Sequence, residues 1–400
     1  MSASTVLYVV DGLGLSGKTK AMVDLIAGLD PARYRAAVVC FDTEQSPLEA
    51  RLRSLDVPVE EVRCPEGVNL RVVARIAGVA RRLRPDVVHC YNPRTMLYGG
   101  AVARLLGVRG TLGTLSAFAC LTPEGGYTFL PQKLFSSSWR NRLRTRIACR
   151  LMGAVVTVSP KLGQGFCRYN GVDAGRLRVV PYGVDLERFT RVTPQQIAEF
   201  RARHGLGADT VVVGSVARLV EQKDYPTQLR AFAEAAARAP ALRMLLVGDG
   251  PLRASLESLA RELGIADRVR FTGHTNDVPV ALRALDIFVL ASKFEPYGVA
   301  LLEAKAAGVA IVATRVNEVP EILGEGALGR LVAPQDPSAL AAAFVALAAD
   351  PAARRSLGEQ AARDAAVHHD LGKAIRTYEQ LYDEVRGGAG ARNLQVRPAL

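Results

Sequence analysis

Two carboxylates, Glu295 and Glu303, stand eight positions apart in ASKFEPYGVALLEAKAAGVAIVAT, residues 291–314. Around them LDIFVLA (285–291) reads as a buried strand and KFEPYG as a turn. VALLEAKAA reads as a short helix stopped by Gly308, and VAIVAT as the next strand. A loop of this kind falls at the carboxyl edge of a parallel sheet, where α/β folds take their ligands. Glu295 then occupies the loop mouth and Glu303 an early turn of the helix. Backbone N–H groups near Gly298 and Val299, at the helix start, point at whatever binds and can receive phosphate. Carboxylates cannot hold phosphate, but they hold hydroxyls, because each ionised oxygen accepts a hydrogen bond without needing a donor. A helix start for phosphate flanked by two carboxylates for diols suits a sugar nucleotide.

Residues suited to phosphate also follow two other strands. The first βα turn is DGLGLSGKTK (11–20). GLGLSGKT fits the Walker A pattern through Gly12, Gly17, Lys18 and Thr19, and GLGLSG fits G-x-G-x-x-G. Both patterns rest on one mechanism, a glycine-lined helix start that receives phosphate. A P-loop further needs an acidic Mg²⁺ residue ending a second strand, and PDVVHCYNP offers His89 and Asn92 instead. A dinucleotide site prefers an acidic residue at about position 35–45, a place Asp42 can fill. Arg218 and Lys223, in GSVARLVEQKDY (214–225), read as diphosphate ligands or as two solvated surface cations. His89 reads as a site group near a cleft or as a satisfied core histidine. No Asp-x-Asp and no C-x-x-C occurs, so no metal site is expected.

The elements that position these residues alternate strand and helix. Strands are expected at 5–11, 34–41, 58–64, 85–91, 109–116, 154–159 and 176–182, with helices such as 20–29 and 70–83 between them. A second set follows at 210–218, 242–249, 268–273, 285–291 and 309–314, after a polar linker at 186–196. The pattern predicts two doubly wound α/β domains, which 400 residues can fill with two cores.

Net charge is +12, and it is unevenly spread. Residues 1–190 carry 26 Lys or Arg against 15 Asp or Glu, whereas 191–400 carry 25 against 24. The basic first half implies an anionic partner or surface there. LFSSSWRNRLRTRIACRLMG (134–153) has five arginines and no acid, with Trp139, Leu143, Ile147 and Leu151 recurring every four residues. This stripe reads either as docking on an anionic membrane or lipid-linked acceptor, or as a helix packed on its sheet with arginines in water. Six isolated cysteines read as buried free thiols. The opening MSASTVLYVV lacks the basic start of a secretory signal, and no apolar run reaches a membrane span of roughly 20 residues. A cytoplasmic protein is expected, with the inner face of the membrane as its candidate surface.

The Glu-x₇-Glu segment resembles the signature of the family 4 glycosyltransferases, retaining enzymes of the GT-B fold. GSVARLVEQKDY, LLVGDGPLRASLESLARELGIADRVRFTGH (245–274), VVTVSPKL (155–162) and VVPYGVDLERF (179–189) are similar to further family segments. Lys305 stands where Met is usual, Ala310 where Pro is usual, and Ser116 where a His is usual. The resemblance implies two Rossmann-like domains facing a cleft: an acceptor domain at 1–188 and a donor domain at 189–367. It also implies a helix at 368–386 crossing back onto the first domain, before a disordered tail at 387–400. It assigns Glu303 to the ribose diol, Glu295 to sugar hydroxyls, and Tyr297, Gly298 and Val299 to sugar and phosphate contacts. Gly17, Arg218 and Lys223 would hold the diphosphate, with Gly248, Gly250 and Gly273 beside the base. Glu295, Arg218 and Lys223 form the expected catalytic set, and Lys20, His89 and Ser116 the candidate acceptor side. The implied reaction moves a hexose-type sugar from a nucleoside-diphosphate sugar to an acceptor hydroxyl in cell-envelope polysaccharide or glycolipid synthesis. The co-substrate replaces a cofactor, and no nucleic acid takes part. The alternatives are a P-loop kinase or NTPase, a GT-B nucleotide-sugar epimerase, and a non-catalytic subunit that keeps the fold.

Overall fold

A computed structural model of the chain describes residues 3–43, 46–65, 69–115 and 139–387. It divides into two compact units: one runs through Gly183 and resumes at Leu371, and the other is Val184–Asp370. The first unit holds strands β1 (Ser4–Val10), β2 (Tyr34–Cys40), β3 (Val59–Glu61), β4 (Val87–Tyr91), β5 (Gly110–Leu115), β6 (Ala154–Thr157) and β7 (Leu177–Val179). All pair in parallel, in the order β3-β2-β1-β4-β5-β6-β7. Alternate side chains of β1 enter different cores, Val6, Tyr8 and Val10 on one face, Leu7 and Val9 on the other. Burial on both faces explains why the strand reads as an unbroken apolar run. Chain order reverses between β1 and β4, so their carboxyl ends mark the crevice where such sheets take ligands.

The second unit holds β8 (Val211–Val216), β9 (Leu242–Val247), β10 (Val269–Gly273), β11 (Ile287–Leu290), β12 (Ala310–Thr314) and β13 (Arg330–Val332). They too are parallel, in the order β10-β9-β8-β11-β12-β13, with the reversal between β8 and β11. The three-residue edge strand β13 escaped the sequence pattern, because RLV has too few residues to show a period.

Two other expectations need correction. The helix expected over 368–385 starts three residues later: Pro351–His368 ends there, and Leu371–Arg386 begins afresh. The break is built in, since the His369 carbonyl accepts the Val184 N–H at 2.7 Å and Val184 and Asp370 form a bridge. The stretch 186–196, read as a linker, contains the helical turn Glu187–Thr190, anchored by buried Phe189. Its end is the Thr193–Gln196 capping box that starts the helix Pro194–Arg203. Of the cysteines, Cys40, Cys90, Cys149 and Cys167 are buried and free, Cys64 is half-buried, and Cys120 lies outside the described residues.

His89 belongs to the core of the first unit. It is fully buried, its Nδ1 lies 2.9 Å from the Tyr382 hydroxyl, and its Nε2 lies 2.7 Å from Thr114 Oγ1. The Tyr382 hydroxyl in turn bonds that of Tyr8 at 2.9 Å. These contacts tie the helix Leu371–Arg386 to β1, β4 and β5, and neither ring nitrogen is left for an acceptor. Burial pushes the imidazole from 6.5 down to about 3. The unfolded chain therefore binds a proton below pH 6.5 that the folded chain refuses until about pH 3. This contribution to stability is full above pH 6.5 and is lost as the pH falls through that window, at up to about 1.4 kcal/mol per pH unit. Urea unfolding of wild type and His89→Phe at several pH values checks this. The wild type should lose stability faster with acid, and parallel slopes would assign the pH response to other groups.

Candidate active site

The loops after β8, β11 and β12 meet at the carboxyl edge of the second unit, around its chain reversal. The loop after β11 carries Glu295, 5% exposed, whose backbone N–H donates to Asn317 Oδ1 at 2.8 Å. Asn317 begins the loop beyond β12 in a left-handed conformation (φ 50°), which Asn tolerates better than most residues. Ser292, fully buried, donates its hydroxyl to Glu295 Oε2 at 3.1 Å. Lys223 Nζ donates to the same oxygen, and both side chains of this pair are largely buried, at 13% and 7% exposure. The two loops are also laced by backbone: Lys293 N–H donates to Gln222 O at 2.9 Å, and Gln222 Nε2 to Phe294 O at 3.1 Å. Behind them Ser215 bonds Gln228, which donates to the Lys223 carbonyl at 3.0 Å. Lys223 is thus a positioned cation and not a solvated one.

Gly298 turns the chain into the helix Val299–Ala307 with φ 81°, and a Cβ there would meet Glu295 Cγ at 3.1 Å. The positive φ favours glycine here, and a side chain would also press on Glu295. The helix start has no side-chain cap, so its first N–H groups are open to an anion. Glu303 follows in the next turn and is 7% exposed. Tyr297 is buried, its ring edge-on to His369 at 6.4 Å. Arg218, in contrast, is exposed, and its guanidinium makes no hydrogen bond or ion pair among the described residues. Along the same edge Gly248 donates its N–H to Gly273 O at 2.9 Å, and a Gly248 Cβ would lie 2.0 Å from the Ala217 carbonyl. A Gly250 Cβ would likewise lie 2.4 Å from the Leu219 carbonyl oxygen. The structure therefore brings Arg218, Lys223, Gly248, Gly250, Gly273, Glu295, Tyr297, Gly298, Val299 and Glu303 to one sheet edge of one unit.

Lys305, the departure from the family's Met, points elsewhere. Its fully buried ammonium donates to Ile322 O at 3.0 Å and to Asp364 on the helix Pro351–His368. Burial lowers its pKa, and Asp364 works against that shift. Lys305 thereby places a charged contact between the helices Val299–Ala307 and Pro351–His368.

The remaining expected site residues lie in the first unit. Gly17 opens the helix Gly17–Gly28, whose N-cap Ser16 accepts from Thr19 N–H at 3.3 Å. Thr19, the hydroxyl a P-loop would give to Mg²⁺, is buried and bonded to Ser16 Oγ at 2.8 Å. Lys20, expected on the acceptor side, is held by Asp24 at 2.7 Å. Burial would raise the Asp24 pKa, but Lys20 and Arg51 outweigh it and hold the carboxyl below its usual range. Ser116 lies outside the described residues. Sequence reasoning missed Asp11, at the carboxyl end of β1. Its Oδ2 accepts from the Asn92 amide, while Oδ1 is buried without a hydrogen bond, 4.0 Å from Arg94 Nη1. Asn92 sits at φ 89°, a conformation costly for a non-glycine and concentrated at ligand sites. An aspartate directly after the first strand is the signal the sequence carries for it.

Two parallel-sheet α/β units, one bearing a buried cation–carboxylate pair beside an open helix start, have the architecture of the GT-B fold. The family model for glycosyl transferases group 1 matches residues 196–364, and that for Glycosyltransferase Family 4 matches residues 16–188. EpsF of Bacillus subtilis (strain 168), named as a glycosyltransferase with no substrate in its name, is 30% identical over 330 residues. That alignment covers 79% of this chain and 81% of EpsF. A GDP-mannose-dependent monoacylated α-(1-6)-phosphatidylinositol monomannoside mannosyltransferase of Corynebacterium glutamicum is 26% identical, over 86% of this chain and 88% of its own. Among solved structures, Anabaena HepE in complex with UDP superposes with a TM-score of 0.81 at 21% identity, over 95% of this chain and 100% of its own. The chain belongs to the family 4 glycosyltransferases.

Proposed function

We propose that the chain is a retaining hexosyltransferase, moving a sugar from a nucleoside-diphosphate sugar to an acceptor hydroxyl in cell-envelope polysaccharide or glycolipid synthesis. The observation that carries this reading is the Lys223–Glu295 pair, at the same sheet edge as exposed Arg218 and the open start of the helix Val299–Ala307. A diphosphate laid against that helix start would meet both cations, and charge growing on the leaving phosphate would be met by groups already in place. Glu303 would accept from the ribose diol and Glu295 from sugar hydroxyls. The HepE complex with UDP and the GDP-mannose-dependent relative support a nucleotide-sugar donor. Retention fits attack from the face of the departing diphosphate, which takes the acceptor proton. Thermal shift against a panel of nucleotide sugars tests the donor, because a ligand bound only by the folded state raises stability. The anomeric configuration of the product, read by NMR, tests retention. An inverted product, or hydrolysis of a nucleoside triphosphate in place of transfer, would overturn the reading.

A membrane-borne acceptor is favoured by the helix Trp139–Arg150. It buries Ala148 and Cys149, while Trp139, Leu143 and Ile147 are 69%, 44% and 41% exposed. Of the two readings of this stripe, packing on the sheet does not describe those three residues. Arg140 stacks over Trp139 at 5.7 Å and Arg142 over Tyr169 at 4.6 Å, and Arg144 is exposed beside them. No helix among the described residues is long and apolar enough to cross a membrane. An exposed apolar stripe flanked by arginines suits the surface of an anionic bilayer. Trp139 is the chain's single tryptophan, so its emission reports on this helix alone. Phosphatidylglycerol vesicles should shift that emission to the blue at low salt and not at high salt. Arg140→Gln/Arg144→Gln should weaken the response, and an unmoved wild-type spectrum would point to a soluble acceptor.

A further inference from the structure

At the edge of the first sheet opposite Asp11, a cavity of about 470 Å³ opens between the amino ends of β4 and β5. Four of its lining residues are arginines: Arg81, Arg84, Arg109 and Arg386. The one carboxylate in the lining, Asp86, is turned to the backbone, its Oδ2 accepting from Thr5 N–H at 2.8 Å. Arg386 is held in place by Ser4 Oγ and by Asp383 Oδ1 at 3.3 Å. The side chains of Arg81, Arg84 and Arg109 make no hydrogen bond or ion pair among the described residues.

A basic residue in the last turn of a helix is the ordinary complement to its dipole, which accounts for Arg81 and Arg386 one at a time. It does not account for Arg84, past the helix end at φ 47°, or for Arg109, which comes from a different connection. Arg81, Arg84 and Arg109 are exposed and unpaired among the described residues, so together with Arg386 they gather positive potential around one cavity, which an anion would complement. Guanidinium is weakly hydrated and offers a planar fork that matches phosphate oxygens in pairs. The volume falls within the range of about 300–1,000 Å³ typical of small-molecule sites.

We propose that this cavity is a second anion site, built for a compact oligophosphate, separate from the donor edge of the other unit. The shared chemistry is two or more phosphates close together, supplied by a soluble metabolite or by lipid headgroups. Titration calorimetry with inorganic tripolyphosphate tests it on the full chain, for wild type and two variants. Arg218→Ala/Lys223→Ala removes the donor-edge cations, and should leave one tripolyphosphate site intact. Arg81→Gln/Arg84→Gln/Arg109→Gln should weaken that site by about tenfold or more, with unchanged Tm and unchanged basal turnover. A flat titration of the Arg218→Ala/Lys223→Ala variant, or undiminished binding in the triple variant, would overturn the proposal. Phosphatidylglycerol vesicles distinguish the two sources. A triple variant that keeps the Trp139 response while losing tripolyphosphate marks a soluble ligand, and one that loses both marks a headgroup.

Discussion

Arg218→Ala and Lys223→Ala should each lower kcat by about a hundredfold to a thousandfold, equivalent to about 2.7–4 kcal/mol for one preorganised charge-stabilising group. Both changes should also weaken nucleoside diphosphate. The two differ in their side effects. Arg218 is exposed and bonded to nothing among the described residues, so its loss should leave Tm within a degree or two of wild type. Lys223 neutralises Glu295, and its removal leaves a carboxylate that is 5% exposed without its cation. Breaking a largely buried pair costs up to about 3–5 kcal/mol, so Lys223→Ala should also melt clearly earlier. Steady-state kinetics with melting curves checks both parts. EDTA should leave turnover intact, because the two cations and the helix start supply the positive charge. Activity of either variant within a few-fold of wild type would remove that residue from the catalytic set.

Glu295→Gln and Glu303→Gln should separate nucleotide binding from transfer. Loss of a charge-assisted hydrogen bond to ribose should weaken free nucleoside diphosphate by roughly tenfold to a hundredfold in Glu303→Gln. Glu295→Gln should bind nucleoside diphosphate as well as wild type or better, because Lys223 no longer has a competing carboxylate partner. Its kcat should nevertheless fall, and its preference among donor sugars should narrow. Calorimetric titration of both variants with nucleoside diphosphate decides the matter. Equal weakening in the two would show that the carboxylates do not divide the work.

Much of this was legible in the residues. The twelve strands other than β13 stand where alternation and turn chemistry place them, and the helix Val299–Ala307 has the ends read from Gly298 and Gly308. Local sequence carries such information because burial of both sheet faces demands unbroken apolar runs. The pairing of Lys223 with Glu295, 72 positions apart, is a tertiary fact and left no local trace. Ser292 and Asn317 were missed for the same reason: each is an ordinary polar residue until the fold sets it against Glu295. His89 shows the converse. A histidine at the end of an apolar strand looks chemical, and only Tyr382, 293 positions away, reveals that it is a core residue.

The return of the chain to its first unit at Leu371 bears on how the protein is made. Tyr378, Leu381, Tyr382 and Val385 complete the core that Val6, Tyr8 and Tyr34 begin. On a ribosome those early residues emerge long before their partners. Between Gly183 and Leu371 lies the whole of the other unit, which on contiguous chain can finish first. At about 5–20 residues per second, the apolar face of the first sheet waits on the order of ten to forty seconds for its last helix. The unit that starts first thus closes last, and the nascent chain is exposed to aggregation or chaperone capture through that face. A stop codon a few residues before Tyr378 would leave the other unit whole and still remove a wall of the oldest part of the protein.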